Sequence, residues 1–587
     1  MVMATIKITD LFNDRIFEIP VYQRGYAWEK AQVRDLFEDI KEAVESNSSH
    51  YIGTIVLSKC ADDAKKFYVV DGQQRLTTIT LLIAQLLRKV TDEDVKLYQK
   101  MHYLKKGGKY SLTPLVKDIN FFKILIDGDI SNLEPQNKSQ RFLKIAVEEI
   151  RNLIEQLPDP VRFLDAVENL EIMEFIENSE GDAIRIFQTV NDRGKPLSIM
   201  EKIKSLLVYF SNKYLNKKYD DKINRVFGEI FEFYDSIKDN GDKLGITLIK
   251  RQDFNEDNIL CYHYVTYFSD NYEPTADFVL KSIKQRLTDI RKNGDYAEEM
   301  SSFIEGYIIS LKEFFINLNE LINNAQTFPK YYKLFVILNL SATLYPLIVK
   351  LQEKQLLSVN LEGDNYDGIT FFDLVELIDV RVYKTRGTNP RADIANFVSS
   401  IDSQSNLAIQ NWLLWFNTRW MSREQFNAAL SVGFYPNAAL TNIFIDYCEK
   451  INGRDYTLEE LKNIVNTVPT IEHILAQTPD FAPESLGFKD MEDFCSYEHR
   501  LGNLSLLEKS LNSAIQKRVP LIKVELGYDR SIFPMTKKLG SEIANYSKFT
   551  KVELDKRTKE LREYCMKRWW ADVPAESPMD VISFDDE

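Results

Sequence analysis

The residues that could do chemistry begin with the stretch DGQQRLTT at positions 71–78. It carries a carboxylate, two amides, a guanidinium and two hydroxyls, at Asp71, Gln73, Gln74, Arg75, Thr77 and Thr78. Gly72 has no side chain, so a ligand could approach the backbone closely there. This crowding favours a phosphate or nucleotide site over the alternative, a capped helix with Arg75 in a structural ion pair.

Local sequence patterns predict the elements that would position these side chains. Residues 67–70 are typical of a buried strand, and apolar residues recur at helical spacing from Leu76 onwards. The predicted unit is a strand, a glycine turn and the N-terminus of a helix. Such a turn directs backbone N–H groups and the positive end of a helix dipole at one point, which suits an anion. We expect Asp71 and Arg75 to face solvent on this turn.

Two further polar turns could complete the same site. Gln23 and Arg24 lie among aromatic residues, which indicates either a ligand wall or a plug in the core. Asn191, Asp192 and Arg193 precede a glycine and form a good turn. Their Asp/Arg pair would suit a second wall of the anion site.

A second group with catalytic potential lies near the end of the chain. His473, next to Glu472, lies on a predicted short strand, and Asn503 lies in a tight turn. Asn512 follows nine residues later, on a predicted helix. This order suits a ββα-metal nuclease hairpin, in which a histidine activates water and a divalent ion takes up charge on the leaving group. A lone histidine near an asparagine is usually structural, but three elements in this order favour catalysis.

Length and composition bound the class of protein. A chain of 587 residues is too long for one hydrophobic core, and 44% hydrophobic residues are typical of a packed globular protein. The five cysteines are scattered without a C-x-x-C pair, so a zinc ribbon is not expected. The sequence shows neither a signal peptide nor an apolar run of about 18 residues. We therefore expect a cytoplasmic protein without a membrane span.

Charge is distributed unevenly along the chain. The net charge of −14 argues against a protein that coats nucleic acid indiscriminately. Residues 496–570 nevertheless carry 16 Lys and Arg against nine Asp and Glu, whereas residues 571–587 carry six acids and no base. The basic segment is either functional or only a solvated helical face. The run RVYKTRGTNPR at 381–391 is likewise either a phosphate-contacting loop or an exposed basic turn.

Together these motifs resemble those of GmrSD-type proteins, the modification-dependent (type IV) restriction endonucleases of bacterial anti-phage defence. The first part is similar to their ParB/sulfiredoxin-like NTPase domain at 19–28, 51–58, 69–78 and 187–198 (IPVYQRGYAW, YIGTIVLS, VVDGQQRLTT and FQTVNDRGKPLS). The end is similar to their HNH-type nuclease domain at 471–477 and 501–513 (IEHILAQ and LGNLSLLEKSLNS).

The resemblance implies an α+β, mostly helical fold in four parts. These are a ParB/sulfiredoxin-like NTP-binding α/β domain (1–207), a helical middle domain (208–420), a ββα-metal (HNH) nuclease domain (421–570) and an acidic tail (571–587). The middle includes predicted helices over 298–324 and 329–353. It shows no repeat of constant length, which disfavours a solenoid.

The resemblance also implies roles for individual residues. It places a nucleotide at Gln23, Arg24, Asp71, Gly72, Gln73, Gln74, Arg75, Thr77, Asn191, Asp192 and Arg193. It makes His473 the general base and Asn503 the residue that orients it. Asn512 would be a metal-side ligand and Glu472 a further one. Asn512 stands where the family pattern has a histidine, and a neutral amide binds Mg²⁺ less firmly than a charged group.

The implied activity is cleavage or nicking of glucosylated, hydroxymethylated or phosphorothioated phage DNA, regulated by NTP hydrolysis. The implied cofactors are Mg²⁺ or Mn²⁺ and an NTP (ATP, GTP, CTP or UTP). Double-stranded DNA is the implied partner, and a homodimer is one candidate assembly. The alternative is an NTP-hydrolysing DNA-binding switch with a degenerate nuclease domain, which Asn512 keeps open. A ParB-like partition protein is disfavoured by the acidic charge and the long helical middle.

Overall fold

A computed structural model gives the fold and describes residues 2–20, 23–46, 49–60, 62–128, 130–131, 133–177, 198–268, 270–478, 482–546 and 549–571. The chain divides into two compact units. The N-terminal unit comprises Met1–Asp235 and Ala276–Lys312, and the C-terminal unit comprises Ser236–Thr275 and Glu313–Glu587. Residues 208–420, the predicted middle domain, are therefore distributed over both units.

The N-terminal unit contains a mixed sheet of six strands in the described part of the chain. The strands of the unit are β1 (Val2–Lys7), β2 (Ile16–Glu18), β3 (Tyr51–Lys59), β4 (Lys66–Asp71), β5 (Lys105–Lys106), β6 (Lys109–Tyr110), β7 (Leu112–Thr113) and β8 (Glu171–Glu177). The order in the sheet is β1-β8-β3-β4-β2-β7, and β5 pairs only with β6. Strand β4 lies near the middle, antiparallel to β3 and parallel to β2.

Thirteen α-helices are described within residues 1–325, and they are divided between the two units. The first eight are α1 (Ile8–Phe12), α2 (Lys30–Ser46), α3 (Gln73–Leu86), α4 (Glu93–Gln99), α5 (Ile119–Asp127), α6 (Lys138–Glu155), α7 (Pro160–Glu168) and α8 (Ile199–Tyr214). The next five are α9 (Asp220–Leu244), α10 (Thr247–Lys250), α11 (Glu256–Tyr267), α12 (Ala276–Lys292) and α13 (Tyr296–Ala325). Helices α10 and α11 belong to the C-terminal unit, and the chain passes from one unit to the other within α9, directly before α12 and within α13.

Helix α3 is buried on all sides rather than on one face. Every residue of α3 except Arg75 is buried. Its polar side chains tolerate this because they bond to backbone carbonyls: Thr78 to Gln74, Thr80 to Leu76, and Gln85 to Leu125. Each fully buried Leu or Ile contributes about 1.5–3 kcal/mol of transfer free energy. The start of α3 is therefore rigidly placed at the end of β4.

The C-terminal unit is mainly helical. Its later helices are α14 (Pro329–Tyr332), α15 (Tyr345–Glu353), α16 (Phe371–Ile378), α17 (Arg391–Ser400), α18 (Asn406–Trp420), α19 (Arg423–Ser431), α20 (Leu440–Asn452), α21 (Leu458–Asn466), α22 (Met491–Cys495), α23 (Lys509–Ile515), α24 (Pro520–Leu526), α25 (Pro534–Tyr546) and α26 (Lys551–Arg568). Two antiparallel strands, β9 (Pro469–His473) and β10 (Leu504–Glu508), precede α23 and pair Leu504 with His473. This is the predicted order of two strands and a helix.

The predicted fold class, α+β and mostly helical, is confirmed. The strand before the glycine turn is confirmed at Lys66–Asp71, and α3 begins at Gln73, three residues earlier than Leu76. The second long helix of the middle is interrupted: a π-helix at Lys333–Ile337 and a 3₁₀ turn at Ala342–Leu344 separate α14 from α15. Among the described residues, no helix is both long and apolar enough to cross a bilayer.

Candidate functional site

The glycine turn after β4 depends on its glycine. Gly72 has a φ of 87°, in the left-handed region, and α3 begins at the next residue. A Cβ atom at Gly72 would lie 3.2 Å from the carbonyl oxygen of Thr54 and 3.2 Å from the Ile55 side chain. Both the backbone angle and the close approach of β3 therefore favour glycine at this position.

The Arg75 side chain lies against β3 and is partly buried, so it faces solvent less fully than expected. Its Nη1 donates a hydrogen bond of 2.9 Å to the carbonyl oxygen of Thr54. A Cβ atom at Gly53 would lie 2.9 Å from Nη2, and Gly53 has a φ of 109° where the register of β3 shifts. The irregularity in β3 thus makes room for the guanidinium.

Asp71 is also partly buried, and its carboxyl group is perturbed. Burial raises its pKa from the ordinary value of 3.8 to about 6, while the Gly72 N–H and the charges of Arg75 and Arg24 oppose this rise. The Glu201 carboxylate raises the pKa further. Four charged side chains therefore lie within electrostatic reach of one another at the end of β4. A carboxyl group that titrates near neutral pH suits proton transfer.

The two glutamines of the motif connect α3 to the loop around Arg24. Gln73 donates to Gln23 (3.0 Å), which in turn donates to the carbonyl oxygen of Val70 (2.8 Å). Gln74 accepts from the backbone N–H of Ala27 (2.8 Å) and donates to the carbonyl oxygen of Gly25 (3.2 Å). The side chain of Gln74 thus fixes the loop in place, which is a structural use of a predicted ligand residue.

The N-terminus of α8 contributes the remaining carboxylate. Ser198 caps α8 by a reciprocal pair of hydrogen bonds with Glu201, and Glu201 Oε1 lies 3.9 Å from Arg24 Nε. The predicted residues Asn191, Asp192 and Arg193 lie outside the described residues. Their part in the site stays a prediction.

A small cleft opens beside this group. It has a volume of about 10 Å³, room for about one water molecule, and its lining includes Arg24, Gln73, Thr77, Asp118 and Ser139. Ligand pockets typically measure about 300–1,000 Å³. The cleft formed by the described residues is thus smaller than a whole nucleotide needs, and the nucleotide assignment stays a prediction.

In the C-terminal unit, His473 is held at the end of β9. Its ring is buried, and its carbonyl oxygen accepts a hydrogen bond of 2.7 Å from Lys523 Nζ. Burial, reinforced by His499 and the Lys523 charge, lowers the pKa of His473 to about 4. The imidazole is therefore neutral at pH 7, the state that a general base requires.

Asn503 is fully buried and bonds only to the backbone among the described residues. Its Oδ1 accepts from Leu475 N–H (2.8 Å), and its Nδ2 donates to the carbonyl oxygens of Leu475 (3.0 Å) and Glu498 (2.8 Å). The backbone oxygen of Asn503 accepts from Ile474 N–H (2.8 Å). Asn503 thus fixes the chain directly after His473 and acts on the imidazole only through that chain.

Glu472 forms a buried ion pair, which does not fit the predicted metal role. Its Oε1 accepts from Lys523 Nζ at 2.6 Å and from the Tyr528 hydroxyl at 3.0 Å. Both Glu472 and Lys523 are almost wholly buried. A carboxylate that neutralises a buried ammonium cannot leave it for a metal without a large desolvation cost.

Asn512 does not approach His473 either. Its Nδ2 donates to Thr470 Oγ1 at 2.9 Å. Thr470 and His473 are three residues apart on an extended strand, so their side chains point to opposite faces. Within the described ranges, no group of three His, Cys, Asp or Glu residues could hold a metal ion. The two predicted ligands therefore do not fit a shared divalent-metal site.

The structure places two residues beside His473: His499, which the sequence indicated only as a spare ligand or a phosphate contact near Asn503, and Tyr435, to which the sequence gave no role. His499 Nδ1 lies 3.2 Å from His473 Nε2, and the Tyr435 ring contacts His473 edge-on with centroids 4.7 Å apart. The position of His499, four residues before Asn503, was the only sign in the sequence.

Two family models match ranges of the chain that contain both groups of residues. The N-terminal domain of the GmrSD restriction endonucleases matches residues 8–208, and the C-terminal domain of the same family matches residues 422–564. No curated protein matches the sequence. The two family matches together cover more than half of the chain and include the glycine turn and His473. The chain therefore belongs to the GmrSD restriction endonucleases.

Proposed function

We propose that this restriction endonuclease acts in anti-phage defence by cleaving or nicking modified double-stranded DNA under the control of an NTP. The modifications we expect are glucosylation, hydroxymethylation or phosphorothioation. One observation carries the proposal. Each of the two matched family domains contains a cluster of polar residues, and the two clusters lie in different compact units. These are the charged residues around Asp71 and the buried His473 on its strand hairpin.

His473 would perform the first step of cleavage by accepting a proton from water. The neutral ring supports this role, because a protonated imidazole could not act as a base. Asn503 would keep the ring in position by holding the two residues that follow it. The proposal includes a need for Mg²⁺ or Mn²⁺. Glu472 and Asn512 do not fit as ligands of that ion, so no step of cleavage is assigned to either side chain.

The DGQQR turn would bind the phosphates of the NTP. Arg24 and Arg75 carry positive charge beside Asp71, and the N-terminus of α3 directs backbone N–H groups to the same place. The raised pKa of Asp71 suits a carboxyl group that accepts a proton during hydrolysis.

A second candidate function is favoured by the contacts of Glu472 and Asn512. Both side chains bond to other protein groups, Lys523 and Thr470. An NTP-hydrolysing DNA-binding switch with a weak or degenerate nuclease would retain such contacts at no functional cost.

The deciding experiment compares wild type, His473→Ala and the control His50→Ala on a panel of DNAs. The panel contains unmodified plasmid, phosphorothioated plasmid, and phage DNA with hydroxymethylated or glucosylated cytosine, each with Mg²⁺, Mn²⁺ or EDTA. We expect His473→Ala to lower cleavage by about 10²-fold or more and to spare NTP hydrolysis, since a general base contributes that much. NTP hydrolysis without cleavage of any DNA would favour the switch. If cleavage, hydrolysis and melting temperature all fall in His473→Ala, then His473 is structural and the proposal is wrong.

A further inference from the structure

Three titratable side chains, those of His473, His499 and Glu498, form a row at the proposed nuclease site. His499 Nδ1 lies 3.2 Å from His473 Nε2, and His499 Nε2 lies 3.6 Å from Glu498 Oε1. The Tyr435 ring contacts both imidazoles, with centroids 4.7 Å from His473 and 5.5 Å from His499. The backbone of His499 is fixed as well, because its carbonyl oxygen accepts from Phe434 N–H at 2.6 Å.

The contacts of this row favour one arrangement of the protons on the two imidazole rings. Carboxylate oxygens only accept, and Glu498 Oε1 lies 3.6 Å from Nε2 of His499, too far for a hydrogen bond but near enough to favour a proton on that nitrogen. A neutral imidazole has a single N–H, so Nδ1 of His499 is then an acceptor. His473 must therefore donate through Nε2, which leaves its lone pair on Nδ1. Within the described part of the chain, Nδ1 of His473 makes no hydrogen bond of its own.

We propose that His499 is a positioning residue for DNA cleavage: by accepting the Nε2–H of His473, it keeps the lone pair of the general base on Nδ1. This inference rests on the proposed nuclease function and names a residue that the predicted site lacks. The nearby Glu498 carboxyl group favours a proton on the far nitrogen of His499. Tyr435 keeps the two rings edge to face, so the hydrogen bond between them stays aligned.

The step that follows balances as a hydrolysis. Nδ1 of His473 takes a proton from water, and the oxygen of that water forms a bond to phosphorus. The bond from phosphorus to the leaving oxygen breaks, and that oxygen takes a proton from solvent. The imidazolium that forms on His473 donates more strongly to His499 than the neutral ring does, since charged donors make stronger hydrogen bonds. His499 therefore stabilises the transition state more than the ground state.

Three substitutions at His499 separate this role from a purely structural one. His499→Asn places an amide oxygen at the position of Nδ1, so it still accepts from His473. His499→Gln has the same amide one methylene further out, and His499→Phe keeps a ring against Tyr435 without any acceptor. Each variant is measured in the full chain for kcat, KM and melting temperature, on the panel DNA that wild type cleaves fastest.

We expect His499→Asn to keep kcat within a few-fold of wild type, with His499→Gln and His499→Phe at least ~10-fold lower and KM little changed in all three. A melting temperature near that of wild type in His499→Phe would show that the loss is not one of folding. Wild-type kcat in His499→Phe, or a higher kcat in His499→Gln than in His499→Asn, would overturn the role of His499 and leave the proposed nuclease function standing. Cleavage that survives His473→Ala unchanged would overturn both the inference and the proposed nuclease mechanism.

Discussion

At the scale of single residues, the DGQQR segment combines side chains with two different uses. The amide of Gln74 is occupied by backbone groups of Gly25 and Ala27, so it builds the loop rather than meeting a ligand. Burial raises the pKa of Asp71 to about 6, so ionising this carboxyl group costs free energy in the folded protein. Groups held at such a cost are typical of functional sites. Asp71 is therefore the residue of this segment whose substitution separates function from stability.

For Asp71→Asn we expect NTP hydrolysis to be lost and the melting temperature at pH 7 to rise. The carboxyl group titrates near 3.8 in the unfolded chain and near 6 in the folded protein. The folded state thus binds the proton more tightly, and the free energy of unfolding falls as the pH rises through this window. Asparagine cannot ionise, so the Asp71→Asn variant does not lose this stability as the pH rises. Melting temperatures of both proteins should converge near pH 4 and diverge towards pH 7; a variant less stable than wild type at pH 7 contradicts the assignment.

Sequence reasoning could find the residues of the site but not all of their contacts. The types and spacing at Asp71 and His473 predicted chemistry there, because strand, turn and helix signals are local. The buried partner of Glu472 is Lys523, 51 residues further along the chain, and no local pattern connects the two. His499 was visible in the sequence, but its role depends on a 3.2 Å contact with His473.

At the scale of elements, helix α26 supports the turn that carries Asn503. A Cβ atom at Gly502 would lie 2.2 Å from the carbonyl oxygen of Leu554 and 2.7 Å from the backbone nitrogen of Thr558. The N–H of Gly502 also donates to Thr558 Oγ1 at 3.2 Å. Backbone atoms of a helix cannot move aside, so the turn and α26 pack together only with glycine at this position.

For Gly502→Ala we therefore expect a lower melting temperature, a loss of about 1–3 kcal/mol or more in the free energy of unfolding, and loss of DNA cleavage. The control is Gly294→Ala, where an added Cβ atom meets nothing within 4 Å. That change should alter stability by no more than about 0.5 kcal/mol. Chemical denaturation of both variants checks the prediction, and a Gly502→Ala protein as stable as wild type would refute the packing argument.

The sequence predicted helices with strong apolar periodicity, but it did not predict where those helices are interrupted. The basic run 381–391 is not simply exposed: Arg381 is fully buried, in a π-helix at Asp379–Thr385, with its guanidinium 3.9 Å from the centroid of Trp570. A guanidinium can be buried against an aromatic face, so charge alone does not indicate exposure. Such a partner, almost 190 residues away in sequence, cannot be inferred from local patterns.

At the scale of the whole molecule, the two units do not follow chain order. Residues 236–275 belong to the C-terminal unit and residues 276–312 return to the N-terminal unit. The boundaries at 207 and 420 that the resemblance implies follow chain order, and a sequence motif does not report contacts between distant segments. The crossings within α9 and α13 mean that continuous helices connect the two units. A helix transmits a displacement along its axis better than a flexible linker does.

We therefore expect NTP and modified DNA to change assembly state and cleavage together. Under the proposed function the nuclease must spare the DNA of its host, so each ligand should bind one arrangement of the chain more tightly than another. Light scattering and gel assays with and without NTP, on modified and unmodified DNA, measure both effects. We expect the highest cleavage rate and a shifted mass with NTP and modified DNA together. Arg75→Ala, which should not respond to NTP, is the control. Equal mass and equal cleavage in all four conditions would mean that the nuclease is unregulated.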